Sequence, residues 1–411
     1  MNFPFYIARR YLFAKKSHNI INIISLISLV GVATGVTALV IVLSVFNGFD
    51  SLISKLYSAF DAEVKIQLAE GKTFSINQPD IETLRKHEGI AVFTEVLEEN
   101  ALFYYREKQH IGIIKGVSNN YTELTGIDSM MVDGNFKLWF GSQPMAIMGQ
   151  GVAYYLNANL AHFDPLVVYM PKRGRTTSLS PEKNFIEKAI MPSGVFAIEL
   201  EFDSQYVIVP IEFTRKLLDY SDEVTAIEIK LKPGVKEDHF IREAENILGK
   251  NYKVLNRFQQ NEVLYRTMKS EKLAIGMILT LILIIASFGI IGSLSMLIID
   301  KRKDVETLRS MGADNTLIQK IFMAEGMLIS FGGTIIGTIL GLLICWLQIT
   351  FKLVRLQGNG NFIIDAYPVD IQIVDISVIL LVVIIIGYVA ARFPVRIIAK
   401  KILFSDDRGN L

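Results

Sequence analysis

Gly71, Lys72 and Thr73 are this sequence's nearest approach to a phosphate-binding motif, since a Gly-Lys-Thr run closes the loop that cradles nucleotide phosphates. That loop needs a second glycine upstream, at the position held here by Ile66, so the tripeptide is rejected as a nucleotide site. The five histidines, His18, His87, His110, His162 and His239, are scattered without ligand spacing, which argues against a zinc or iron site. Cys345 is the single cysteine, so neither a disulfide framework nor a thiol metal site can form from this chain alone. No Ser/His/Asp or Cys/His arrangement stands out, and an enzyme reading has no support from the residues. The net charge of +1 shows no basic face for nucleic acid.

The chain is 411 residues long, 51% hydrophobic and 20% charged, with a mean hydropathy of +0.37. Its apolar residues are concentrated. Residues 19–49, 273–299, 326–351 and 376–391 contain no Asp, Glu, Lys or Arg. A membrane span needs roughly 20 apolar residues. The first three meet that, and the last borrows residues 371–374, giving a span over 371–391 with Asp375 near the interface. The first run is too long for a cleaved signal peptide and reads as a retained anchor. The fold class expected is a polytopic α-helical membrane protein, with four transmembrane helices and a large α+β extracytoplasmic domain between the first two. The span interiors read as free of acids and bases, which argues against a proton- or sodium-driven transporter.

Charge sets the expected orientation. Residues 1–18 hold Arg9, Arg10, Lys15 and Lys16 and no acid. The segment after the second span holds Lys301, Arg302, Lys303, Arg309 and Lys320, and the tail over 392–411 holds Arg392, Arg396, Lys400, Lys401 and Arg408. The loop over 352–370 has only Lys352 and Arg355, against Asp365, Asp370 and the nearby Asp375. The excess of positive charge places both termini and the 300–322 loop in the cytoplasm. Residues 50–270 then lie outside.

That outer segment alternates short apolar runs with turn residues. "AEVKIQLA", "HIGIIKGV", "QPMAIMG", "GVFAIELEF", "QYVIVPI" and "VTAIEIKLK" read as strands. "DIETLRKH", "IEFTRKLLDY" and "VKEDHFIREAENILG" read as amphipathic helices. Residues 171–192, bounded by prolines and without a clean period, read as an exposed excursion.

Small residues suggest close helix contacts. Gly31 and Gly35 form one G-x-x-x-G, and Gly333, Gly337 and Gly341 form two in succession. Gly289, Gly292 and Ser293 cluster in the second span. A bundle of four spans is small, so a partner in the membrane is expected. The 300–322 loop carries a short amphipathic helix. Val305, Leu308 and Met311 share a face, Glu306 and Arg309 are placed to pair, Gly312 stops the helix, and Asp314 or Asn315 caps the next one. An element joined rigidly to membrane helices at both ends can transmit a push.

"DVETLRSMGADNTLIQKIFMAEGMLI" resembles the coupling segment of the FtsX/MacB-like ABC permeases, the mechanotransmission-type ABC transporters. "YIARRYLFAKKSHNIINIISLISLVGVATGVTALVIVLSVFNGFDSLI" is similar to the opening of the lipoprotein-releasing LolC/LolE subfamily. "RFPVRIIAKK" resembles that subfamily's closing segment, with its usual "YPARRA" form only partly present. "SGVFAIELEFDSQYVIVPIEFTRKLL" and "RFQQNEVLYRTMKSEKLAIGMILTLI" match in the expected order. The likeness covers essentially the whole chain, most specifically in the N-terminal stretch and the coupling segment and least over the outer domain.

The resemblance implies an inner-membrane permease subunit that pairs with a second, identical or homologous permease and binds a cytoplasmic ABC ATPase dimer. ATP and Mg would sit on that ATPase, with no cofactor on this chain. A lipoprotein cargo would be extruded from the outer leaflet and passed to a periplasmic lipoprotein chaperone, with nothing crossing the bilayer. The ATPase contact would involve Lys303, Asp304, Val305, Glu306, Leu308, Arg309, Met311 and Gly312. A lipoprotein cavity facing membrane lipid would use Val45, Phe46, Phe49, Leu264, Met268 and Ile275. The 171–192 excursion stands where the subfamily has its chaperone hook, with Lys172, Arg173 and Arg175 as its candidates. Two relatives of the same fold give other functions. One is a MacB-type efflux permease, a type that usually carries its ATPase on the same chain. The other is an FtsX-type regulator of cell-wall hydrolases, a type whose outer domain is usually smaller.

Overall fold

The computed structural model describes residues 3–13, 19–58, 60–171, 185–355 and 366–403. Helix α1 (Phe3–Phe13) precedes α2 (Asn19–Ser58). The outer domain begins with β1 (Val64–Leu68), β2 (Phe74–Ser75), α3 (Pro79–Arg85), β3 (Ile90–Tyr105), β4 (Lys108–Val117) and α4 (Tyr121–Leu124). It continues with β5 (Met131–Gly134), β6 (Trp139–Phe140), β7 (Gln143–Gly149), α5 (Gln150–Leu156), β8 (Leu166–Pro171) and β9 (Phe185–Phe196). Then come α6 (Leu200–Gln205), β10 (Tyr206–Pro210), α7 (Ile211–Leu218), β11 (Glu223–Val224) and β12 (Ala226–Leu231). Helix α8 (Glu237–Leu248), β13 (Tyr252–Asn256) and α9 (Arg257–Gln260) complete it. The chain returns through α10 (Glu262–Asp300), α11 (Arg302–Ser310), α12 (Asn315–Phe351) and α13 (Ile373–Leu403).

Two compact units result, residues 53–265 and residues 1–52 with 266–411. Among the described residues, four helices are long and apolar enough to cross a membrane. They outrun the uncharged runs that announce them: α10 starts at Glu262 and α12 at Asn315, so each span is continued by a polar turn or more of the same helix. Helical hydrogen bonding does not stop where the apolar residues stop, because it is local to the backbone.

In the outer unit, β13, β1, β12, β3, β4, β10, β7, β9 and β5 lie side by side in one mixed sheet, with β10 parallel to β4 and β7 parallel to β9. Successive residues face opposite sides of a sheet. Ile147 and Ile208 join one core with Phe60, Tyr121 and Phe196, while Met148, Val207 and Val209 join the other with Phe103 and Phe240. Both faces are covered, as mixed sheets with helical connections require.

Several strands escape the alternation pattern. β3, β8 and β13 are strands that sequence periodicity did not mark out. β3 reads "IAVFTEVLEENALFYY", where both faces carry apolar residues and the two-residue period is lost. The 171–192 excursion is corrected in part: residues 185–192 belong to β9, paired antiparallel with β8 from Leu166 opposite Ile190 to Pro171 opposite Phe185. Lys172, Arg173 and Arg175 lie outside the described residues. "GVFAIELEF" is also two elements, since β9 ends at Phe196 and α6 starts at Leu200. Glu199 caps that helix through its side chain, accepting from the Glu201 N–H at 2.9 Å.

The chain enters and leaves the outer domain at one place. Asn261, just before α10, donates to Asp61 at 2.5 Å, and Gln260 donates to the Ala62 carbonyl at 3.1 Å. Burial drives the Asp61 carboxyl up to about 6, although Lys115 and the Asn261 hydrogen bond pull the other way.

Candidate functional site

The turn at the far end of α10 is rigid at both edges. α10 ends at Asp300, α11 begins at Arg302, and Gly312 follows with φ +93°, a left-handed backbone that glycine adopts at little cost. Asp314 then caps α12, its Oδ1 accepting from the Leu317 N–H at 3.0 Å. Hydrogen bonds from the Thr316 hydroxyl and that N–H hold the Asp314 carboxyl below the usual range. Arg309 donates to Asn315 Oδ1 at 2.8 Å, so α11 and the first turn of α12 are tied directly.

The apolar stripe of α11 is divided by the fold. Val305 is buried among Leu297, Ile298, Ile318, Phe322 and Val395. Leu308 and Arg309 are half-buried, and Met311 is 79% exposed. Val305 is thus an anchor of the turn onto the bundle and is not open to a partner, a correction to its placement among contact residues. Lys303, Asp304, Glu306, Met311 and Gly312 form the accessible side. Arg302 reaches Glu306 at 3.3 Å one turn on.

The glycines of α12 meet α2. A Cβ on Gly337 would stand 2.5 Å from the Ala33 carbonyl oxygen, one on Gly333 2.9 Å from that of Leu29, and one on Gly341 2.8 Å from Val40 Cβ. The Thr37 hydroxyl donates to the Gly337 carbonyl at 3.0 Å, which only such close backbones permit. Gly35 faces Leu283 of α10, whereas a Cβ on Gly31 meets nothing within 4 Å, so the first G-x-x-x-G is only half used inside this chain. Ser28 donates to the Gly289 carbonyl at 2.8 Å, and Ser25 and Ser293 share a 2.8 Å bond. Gly292 faces open space.

The interior is not free of ionisable groups. Glu325 on α12 is 1% exposed, and neither oxygen of its carboxyl group has a hydrogen-bond partner among the described residues. The uncharged run begins one residue later, at Gly326, which hid it from a reading by composition.

At the other end of the bundle, three helices meet through polar groups. Lys272 of α10 lies 3.1 Å from Asp375 of α13 and donates to Asn47 Oδ1 of α2 at 2.9 Å. Asn47, 1% exposed, donates in turn to Asp375 at 2.6 Å. Below this clasp runs an apolar groove of about 660 Å³, walled by Leu39 and Leu43 of α2, Gly276, Met277 and Leu281 of α10, and Ile379 of α13. None of Val45, Phe46, Phe49, Leu264, Met268 or Ile275 lines it. Phe49 packs edge-on against Tyr367 at 5.7 Å, Met268 is 8% exposed, Ile275 packs into the bundle core and Leu264 into the outer-domain core. Helical phase decides this on α10, where the groove face is the 269, 272, 273, 276, 277, 280, 281, 284 row and Leu264, Met268 and Ile275 miss it. The clasp went unseen because its members come from three distant segments.

The sequence model of the FtsX-like permease C-terminal domain matches residues 276–402, and that of the MacB-like periplasmic core domain matches residues 25–247. The chain belongs to the FtsX/MacB-like ABC permease family. It is a membrane-transport component with a periplasmic domain between its first two spans, and the family implies a cytoplasmic ATPase and a second permease subunit as partners. It is 27% identical over 401 residues to "Lipoprotein-releasing system transmembrane protein LolC" of Xylella fastidiosa strain Temecula1, covering 94% of each chain. It is 23% identical over 420 residues to the LolE protein of the same system in Haemophilus influenzae, covering 97% of this chain and 98% of that one. A LolC protein of Buchnera aphidicola is 26% identical over 347 residues, covering 84% and 82%. As an FtsX/MacB-like permease with relatives in the inner membrane, this is an inner-membrane, multi-pass protein.

Proposed function

We propose that this permease releases lipoproteins from the inner membrane toward a periplasmic chaperone, driven by ATP hydrolysis on a separate cytoplasmic subunit. The observation that carries the reading is similarity to lipoprotein-releasing permeases along nearly the full length of both chains. In this reading both termini and α11 face the cytoplasm, in keeping with the basic residues there. The ATPase bears on Lys303, Asp304, Glu306, Met311 and Gly312. Val305, the Asp314 cap and the Arg309–Asn315 bond make the turn stiff enough to pass force into α10 and α12. Since α10 is unbroken from Glu262 to Asp300, force applied at one end acts at the other. The cargo is moved sideways out of the outer leaflet, which needs no polar pathway through the bundle.

Depleting the protein in its native host and fractionating the membranes tests this. Outer-membrane lipoproteins are expected to accumulate in the inner membrane. Normal lipoprotein sorting, with chained or drug-sensitive cells instead, transfers the assignment to a regulator or an efflux permease.

A further inference from the structure

We propose that the groove between α2, α10 and α13 holds one anionic diacyl phospholipid of the outer leaflet, its phosphate on Lys269 and one acyl chain lying along α10. The groove fits a lipid chain in length. On α10 its lining below the two lysines runs from Leu273 to Ile284, about 17 Å at 1.5 Å per residue. One leaflet of hydrocarbon is about 15 Å deep, half of a 30 Å core. The groove also fits in polarity. Thr280 is the only hydroxyl in the lining below the lysines, and it already donates to the Gly276 carbonyl at 2.7 Å. No unmet polar group remains along the chain path. Gly276 leaves the floor without a side chain, and a Cβ there meets nothing within 4 Å.

The mouth decides the headgroup. Lys269, Lys272 and Asp375 are its charged residues. Lys272 and Asp375 satisfy each other and are fixed by buried Asn47, so neither turns to a ligand. Lys269 is exposed and has no ion pair among the described residues. Two lysines against one carboxylate leave one positive charge at the level of the headgroup, on a side chain long enough to reach it. An anionic headgroup complements that charge. A zwitterionic one brings a cation to the same place.

The test uses the full chain purified from vesicles of equal phosphatidylglycerol and phosphatidylcholine, with retained lipid counted by native mass spectrometry. One phosphatidylglycerol per chain is expected, favoured at least five-fold over phosphatidylcholine. Lys269→Gln should abolish the preference and Lys269→Arg keep it. Gly276→Leu should lower retention of both lipids. Equal retention of the two lipids by the natural chain, or a preference that survives Lys269→Gln, overturns the proposal. So does disulfide cross-linking between two copies carrying Met277→Cys and Cys345→Ser, which would mean that protein covers the groove. Displacement of the phospholipid by an equimolar triacylated lipopeptide overturns it as well, since the groove would then be a cargo site. The assay contains no ATPase and no lipoprotein transfer, so its failure leaves the proposed function standing.

Discussion

Lys115 on β4 donates a 2.8 Å hydrogen bond to Glu228 on β12, across the intervening strand β3. Both residues are nearly solvent-free, at 1% and 2% exposure. Glu98 stands 3.1 Å from the same ammonium, and Phe60 presents its ring face to it at 4.5 Å. Burial works against the lysine's charge, yet Glu228 leads the groups that hold its pKa above the usual lysine range. Burial likewise opposes charge on Glu98, but Lys65 and Lys115 hold that carboxyl at about 2.

Removing one partner of such a cluster strands the others. Lys115→Met is expected to destabilise the protein by about 3–5 kcal/mol. Adding Glu228→Leu should recover a large part of the loss, because the remaining charges then balance better. Thermal melts of both variants in detergent check this, and a double variant no more stable than the single one contradicts it.

Gly337 tests the bundle. Gly337→Ala drives a methyl into the Ala33 carbonyl and should cost about 1–3 kcal/mol. Gly31→Ala, which meets open space in this chain, should cost less than about 0.5 kcal/mol. Similar melting shifts for the two variants would show that α2 and α12 do not rely on that contact.

The coupling turn separates anchoring from contact. Met311→Asp places a charge on an exposed position and should leave the melting temperature unchanged while reducing ATP-driven release at least about ten-fold, a loss of roughly 1.4 kcal/mol of coupling. Val305→Asp buries an unpaired carboxylate and should lower the melting temperature sharply. Release measured in reconstituted membranes with Met311→Asp at the natural rate would sink the assignment of that face to the ATPase.

Asp61 makes stability depend on pH. Its carboxyl is raised from 3.8 to about 6, so the folded state holds a proton that the unfolded chain gives up earlier. The associated stability is complete below about pH 4 and is lost as pH rises through about 6. Asp61→Asn keeps the neutral form at every pH. It should match the natural protein near pH 4 and exceed it near pH 7 by up to about 3 kcal/mol. A difference in melting temperature that stays constant between those pH values rules this out.

Local sequence determined the four spans, the α+β class of the outer domain and the caps of the coupling turn. Uncharged runs of that length, the alternation in "VTAIEIKLK" and the Gly312–Asp314 pair act over short stretches of chain, where local physics is decisive. Tertiary structure decided the rest. It turned Val305 inward while leaving Met311 out, and it set Gly337 against α2 while leaving Gly31 open. It buried Glu325 one residue outside an uncharged run, and it joined Asn47, Lys272 and Asp375 from three helices far apart in the chain. Each of these depends on the phase of one helix against another. A period of 3.6 residues marks a face, but which neighbour that face meets is settled only when the helices pack.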